Sequence, residues 1–128
     1  VRHLLLFYAL AMTVLGGCSI PRVIILHNPL SAEGHNDLGV SYQNRQEYDL
    51  ALREYERAAE MRNEWARPLV NLGNVLALQG DWSGAEEGYR KALRREPQNG
   101  EAMNNLAWVL CQAGKTEAAL PWARNAVV

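Results

Sequence analysis

The chain has 128 residues, 48% of them hydrophobic, and a formal charge of −1. That length bounds it to one small domain. A charge so near zero does not advertise a nucleic-acid partner. Basic and acidic residues interleave, as in Arg53-Glu54-Tyr55-Glu56-Arg57, which reads as a solvated helix face.

Residues 1–17 follow a different regime. Arg2 and His3 form a weakly positive start, and Leu4 to Leu15 is an apolar run of 12 residues without a charge. That is too short for a transmembrane helix of roughly 20 residues and right for the core of a secretion signal. Residue 1 is valine, which fits either an alternative start codon or a clipped chain. The run ends in Leu15-Gly16-Gly17-Cys18, which closely resembles the lipobox of bacterial lipoproteins. The resemblance implies a diacylglyceryl thioether on Cys18, cleavage between Gly17 and Cys18, and acylation of the new amino terminus. Ser19 in place of Asp then favours the outer membrane, with the protein facing the periplasm. Several acyl chains anchor firmly, because each buried methylene contributes about 0.8 kcal/mol. The alternatives are an uncleaved anchor or a chance cysteine after a hydrophobic run.

Residues 18–31 link this segment to the first helix. Pro21 and Pro29 bracket the linker, and Asn28-Pro29 marks a turn. Val23 to Leu26 reads as a short extended segment that lies against the first hairpin or near the lipid surface. Ser31 is a plausible N-cap. Helical periodicity then predicts six helices, over about 32–45, 48–61, 66–79, 82–95, 100–113 and 116–127. Gly80-Asp81 and Gly114-Lys115-Thr116 separate helices within hairpins. Pro97 ends the fourth helix. Pro68 falls in the first turn of its helix, where its missing donor costs little. Pro121, five residues into the last helix, is expected to kink it or delay its start.

The helices repeat with a period of 34. Leu72-Gly73 is preceded 34 residues earlier by Leu38-Gly39 and followed 34 later by Leu106-Ala107. Ala51, Ala85 and Ala119 are in register, as are Ala58, Ala92 and Ala126; Tyr89 has Tyr55 behind it but Ala123 ahead. Such self-similarity marks an internal repeat, with units 32–65, 66–99 and 100–128. Small residues such as Gly73 and Ala85 sit where helices approach closely, and Leu72, Leu76 and Tyr89 fill the remaining space. Leu69, Leu72, Val75 and Leu76 follow the spacing of a buried stripe. One such hairpin cannot bury its own apolar face, whereas stacked neighbours can.

This pattern resembles the tetratricopeptide repeat. The middle unit matches at Leu72, Gly73, Gly80, Ala85, Tyr89, Ala92 and Pro97. The first departs at Asn63, which replaces the proline, and the third at Ala107 and Ala123. The resemblance implies an all-α superhelix of three helix-turn-helix repeats whose first helices line a concave groove. Its groove positions hold Glu33, Asn36, Val40, Gln43 and Asn44, then Arg67, Val70, Asn74, Ala77 and Leu78, then Glu101, Asn104, Trp108, Cys111 and Gln112. Trp108 is the candidate anchor, since a semi-exposed tryptophan can contribute strongly to binding; the alternative is that it packs against a neighbour or the last helix. Asn74 and Asn104 are candidates to hold a peptide backbone, and Val40, Asn44 and Leu78 complete the candidate groove. Asn71 and Asn105 are read as structural. The lysine–asparagine pair of carboxylate-gripping modules is replaced by Asn36 and Val40, which disfavours that specialised function.

No catalytic or metal site is evident. His3 lies in the signal, His27 in the linker and His35 in a helix-packing slot, without metal-ligand spacing. No activated-nucleophile motif or phosphate loop is present. No cofactor is expected beyond covalent lipid on Cys18. If Cys18 carries lipid, Cys111 is the one remaining thiol. It reads as a partly buried helix residue or, alternatively, as the half of an intermolecular disulfide. The expectation is a protein or peptide partner in the periplasm or outer membrane, a lipid link to the membrane and no nucleic acid. The oligomeric state stays open. Small lipoproteins of this fold that assist pilus or secretion-system assembly, of pilotin or tight-adherence type, are the functional resemblance. The alternatives are an adaptor for peptidoglycan enzymes or outer-membrane protein assembly, and an N-terminal piece of a longer chain, since the last unit ends without a polar cap.

Overall fold

A computed structural model describes residues 30–126. The six helices are α1 (Ala32–Asn44), α2 (Tyr48–Met61), α3 (Arg67–Leu78), α4 (Trp82–Arg95), α5 (Gly100–Gln112) and α6 (Thr116–Asn125). Their starts are chemically defined. Ser31, Asp81 and Asn99 each accept a hydrogen bond from a first-turn N–H, those of Gly34, Gly84 and Ala102, which satisfies a donor the helix itself leaves unpaired. Asn99, the last residue of the second unit, thus starts the first helix of the third. Pro121 lies inside α6, which begins at Thr116 without delay. The expectations for residues 1–29 and 127–128, among them the signal run, Gly17 and Cys18, lie outside the described residues.

The turns inside the three hairpins share one geometry. Gly80 and Gly114 adopt φ of +77° and +75°, and Gln46, the equivalent residue of the first unit, adopts +61°. A left-handed residue ends the first helix each time. Glycine adopts this conformation freely, whereas a side chain costs about 1–2 kcal/mol there. Gln46 therefore carries local strain that its two counterparts avoid.

The helices pair as α1–α2, α3–α4 and α5–α6, and the second helix of each pair packs on the first helix of the next. α1 touches α3 and α3 touches α5, so the first helices lie side by side and form one face. The buried set is the periodic one. Ala51, Ala58, Ala85 and Ala92 are fully buried, and Ala119 nearly so. Tyr55 and Tyr89 are buried with them. A Cβ added to Gly39 would lie 2.6 Å from a Tyr55 ring carbon, and one added to Gly73 would lie 2.6 Å from a Tyr89 ring carbon. Glycine is thus what lets each tyrosine reach the facing helix. In the third unit alanine stands at both positions, Ala107 and Ala123. These two departures are one: without the ring, the facing position no longer has to be glycine. Of the expected stripe in α3, Leu69 and Val75 are buried, while Leu72 and Leu76 are only partly so.

Polar contacts tie the units together. Arg95 donates to the carbonyls of Arg62 and Trp65 at 3.3 and 3.0 Å, fastening the loop where Asn63 replaces the expected proline. Glu96 accepts from the Ala66 N–H at 3.0 Å and from Asn99 Nδ2 at 2.9 Å. The backbone N–H of Ala66, then Asn99, holds its carboxyl below the usual carboxylate range. Lys115 donates to Glu86 at 2.8 Å, joining the third unit's turn to α4. His35 is buried and its Nδ1 lies 2.6 Å from Glu54 Oε2, in the packing role expected of it.

The glycine–tyrosine contact supplies a direct test of this packing. Gly73→Leu should overpack the middle hairpin and lower stability by about 1–3 kcal/mol or more. A clearly lowered midpoint in thermal unfolding followed by circular dichroism is expected; an unchanged midpoint would contradict the register.

Candidate peptide-binding groove

The face formed by α1, α3 and α5 carries the predicted groove residues, but they do not share one fate. Val40, Leu78 and Trp108 are exposed, at 38%, 63% and 50% of their surface. Asn44 and Asn104 are exposed, and Asn74 is half-buried. By contrast Asn36, Val70 and Ala77 are buried. Asn36 accepts from Asn71 of the next first helix and Val70 belongs to the core, whereas Ala77 borders the cavity described next. Cys111 is exposed rather than partly buried.

Asn74, Leu78 and Trp108 converge. Together with Ala77, Tyr89 and Asn105 they line a shallow cavity of about 270 Å³ between α3 and α5. Val40, Asn44 and Asn104 lie outside it. The floor is polar and preorganised. Tyr89 donates its hydroxyl to Asn74 Oδ1 at 2.7 Å, and Asn105 donates Nδ2 to the same oxygen at 3.0 Å. Asn74 Oδ1 is thereby occupied inside the fold, and its Nδ2 has no acceptor among the described residues. Burial, then the nearby Glu101 carboxylate, pushes the Tyr89 hydroxyl up to about 12, so it stays a donor at neutral pH. A parallel contact joins the first two units, with Asn71 Nδ2 donating to Asn36 Oδ1 at 2.9 Å. Asn71 and Asn105 therefore have the structural role read for them.

The cavity wall is apolar. Trp108 meets Trp82 edge-on, with ring centroids 5.6 Å apart and planes at 81°. Trp82 was missed from the sequence, since it belongs to a second helix. The signal available was its place directly after the Asp81 cap, at the end of α4 nearest the groove. Trp108 stands half-exposed, held by an edge-to-face contact of a kind worth about 0.5–1.5 kcal/mol. Among the described residues, no group of three or more His, Cys, Asp or Glu could hold a metal, and no helix is long and apolar enough to cross a membrane.

Stacked helical hairpins with an exposed aromatic on the first-helix face define a repeat-built binding module. Comparison with known proteins makes the family specific. The tetratricopeptide repeat model matches residues 36–91 and 70–128, and the chain belongs to that family. Its membership makes the repeat region a non-catalytic scaffold for protein–protein contacts. The heat shock protein sti1 homolog of Schizosaccharomyces pombe is 26% identical over 85 residues, 66% of this chain and 14% of that protein. The solved structure of MamA AMB-1 is 28% identical, with a TM-score of 0.68, over 77% of this chain and 54% of that one. YrrB, described as a TPR protein with an unusual peptide-binding site, is 27% identical, with a TM-score of 0.70, over 76% of this chain and 50% of that one. The chain thus spans about half the length of these solved structures.

The two exposed-face asparagines should separate cleanly. Asn74→Ala strips the acceptor from Tyr89 and Asn105 and should cost about 1–3 kcal/mol in chemical unfolding. Asn104→Ala should stay within about 0.5 kcal/mol of the parent. Equal effects would contradict the network.

Proposed function

We propose that this protein is a lipid-tethered scaffold of the bacterial cell envelope that captures an extended peptide segment of a partner protein. The observation that carries the binding half is the cavity that Asn74, Leu78 and Trp108 share. Its apolar wall of Leu78 and Trp108, with Trp82 braced behind Trp108, suits one large apolar or aromatic side chain. Its polar floor supplies an amide donor for a peptide carbonyl. A tryptophan that is half-exposed yet held in place loses little freedom on binding, which favours affinity.

The tether rests on the sequence. The Leu4–Leu15 run followed by Leu15-Gly16-Gly17-Cys18 supports export, cleavage after Gly17, and lipid on Cys18. Ser19 supports the outer membrane, with the repeats facing the periplasm. Within the envelope, assistance to assembly of a pilus or secretion system is the reading that joins a lipid anchor to a small repeat scaffold. An adaptor for peptidoglycan enzymes or for outer-membrane protein assembly is the second reading. Fold alone does not choose between them.

Two measurements test the two halves. Against a peptide selected from a random library on the wild-type protein, Trp108→Ala should weaken binding at least tenfold in calorimetry while helical circular dichroism stays unchanged. A large loss of helix would instead assign Trp108 to the core. The intact mass of protein recovered from detergent-solubilised host membranes should begin at Cys18 and include acyl chains; a mass retaining residues 1–17 without lipid would overturn the tether.

A further inference from the structure

The second helices also leave an opening. α4 carries glycine at 84 and 88. The equivalent places hold Leu50 and Glu54 in the first unit, and Ala118 and Trp122 in the third. Gly88 packs closely on α3, since a Cβ there would lie 3.2 Å from Gly73 Cα. Its consequence is a trough of about 510 Å³ between α2 and α4, floored by Leu69, Leu72 and Leu76 of α3. Between α4 and α6 the corresponding place is filled from within. Trp122 packs there against the core, beside Leu93, with the Arg90 guanidinium 5.8 Å from its ring centroid. One inter-unit trough contains an aromatic side chain of its own; among the described residues the other has no such side chain.

We propose that the apolar run Val23-Ile24-Ile25-Leu26 of the same chain docks in the α2–α4 trough. Three observations favour this occupant. The first is reach. Only three residues separate Leu26 from Leu30, at the start of α1, so an extended linker spans about 13 Å. The start of α1 lies at the open end of the trough, because Glu33 pairs with Arg62 and Asn63, the next residue, lines the trough. The second is shape and chemistry: four apolar side chains, three of them β-branched or doubly branched and all without a charge, meet a floor of leucines. The third is charge. Glu56 and Glu60 on the trough's α2 wall have no ion pair among the described residues, and Arg22 directly precedes the run. The proposal stands apart from lipidation, because residues 22–26 follow Cys18 and are retained whether or not the chain is cleaved before it.

The test uses the full chain with a benzophenone-bearing phenylalanine in place of Glu60 and, separately, of Glu87. Both are exposed side chains on opposite walls, so folding is not at stake. After irradiation and digestion, mass spectrometry should find both probes joined to the peptide containing residues 22–26 of the same molecule. Ile24→Asp combined with Ile25→Asp should cut that yield at least tenfold, with helical circular dichroism unchanged. Adducts to a second copy, adducts to a different protein, solvent adducts alone, or a yield that the double substitution leaves intact would each overturn the proposal.

Discussion

The fold depends on one close approach. In the first two hairpins a tyrosine ring from the second helix occupies the space that a Cβ on the facing glycine would need, 2.6 Å away. That contact sets how near the two helices come. It buries a large side chain between small ones, and it delivers a hydroxyl to the far side of the first helix. Tyr55 places its hydroxyl 2.8 Å from Gln43 Oε1, and Tyr89 places its own 2.7 Å from Asn74 Oδ1. The core is thereby wired to the groove. Asn74 passes the connection on by accepting from Asn105 of the next unit. A packing constraint inside one hairpin thus positions the floor of a binding cavity shared by two.

Much of this was legible in the sequence because a period of 34 is a strong signal. Helix existence, order and bounds to within two residues follow from it, as do the buried alanines. The packing role of His35 was read from its helical slot, and the structural role of Asn71 and Asn105 from the resemblance to the family. What was not legible shares a physical cause: it depends on which neighbour covers a given residue. Asn36 and Val70 sit at positions assigned to the groove, yet the fold buries them. Cys111, read as partly buried, is exposed. Trp82 braces Trp108 from the neighbouring hairpin, a contact between residues 26 apart in sequence that helical periodicity within one unit cannot reveal. The third unit's paired alanines looked like two separate departures and are one, since the glycine is needed only where the ring presses on it.

The two faces of the stack differ in character. The first-helix face offers a small apolar wall over a hydrogen-bonded floor, suited to specificity at one side chain. The second-helix face offers a longer leucine-floored trough with an acidic wall. The polar ties between units, from Arg95, Glu96 and Lys115, fix the spacing of both. Repeat stacks draw much of their stability from such neighbour interfaces, so a rigid stack can present either face without reorganising, which keeps the entropic cost of binding low.

The central claim is that a peptide partner binds the groove at Trp82 and Trp108. Four indole N–H signals, from Trp65, Trp82, Trp108 and Trp122, make this directly observable in a ¹⁵N–¹H spectrum. On titration with a library-selected peptide, the signals of Trp82 and Trp108 should shift or broaden while those of Trp65 and Trp122 stay in place. Movement of Trp65 or Trp122 with Trp82 and Trp108 unchanged would contradict the account and place binding elsewhere on the stack.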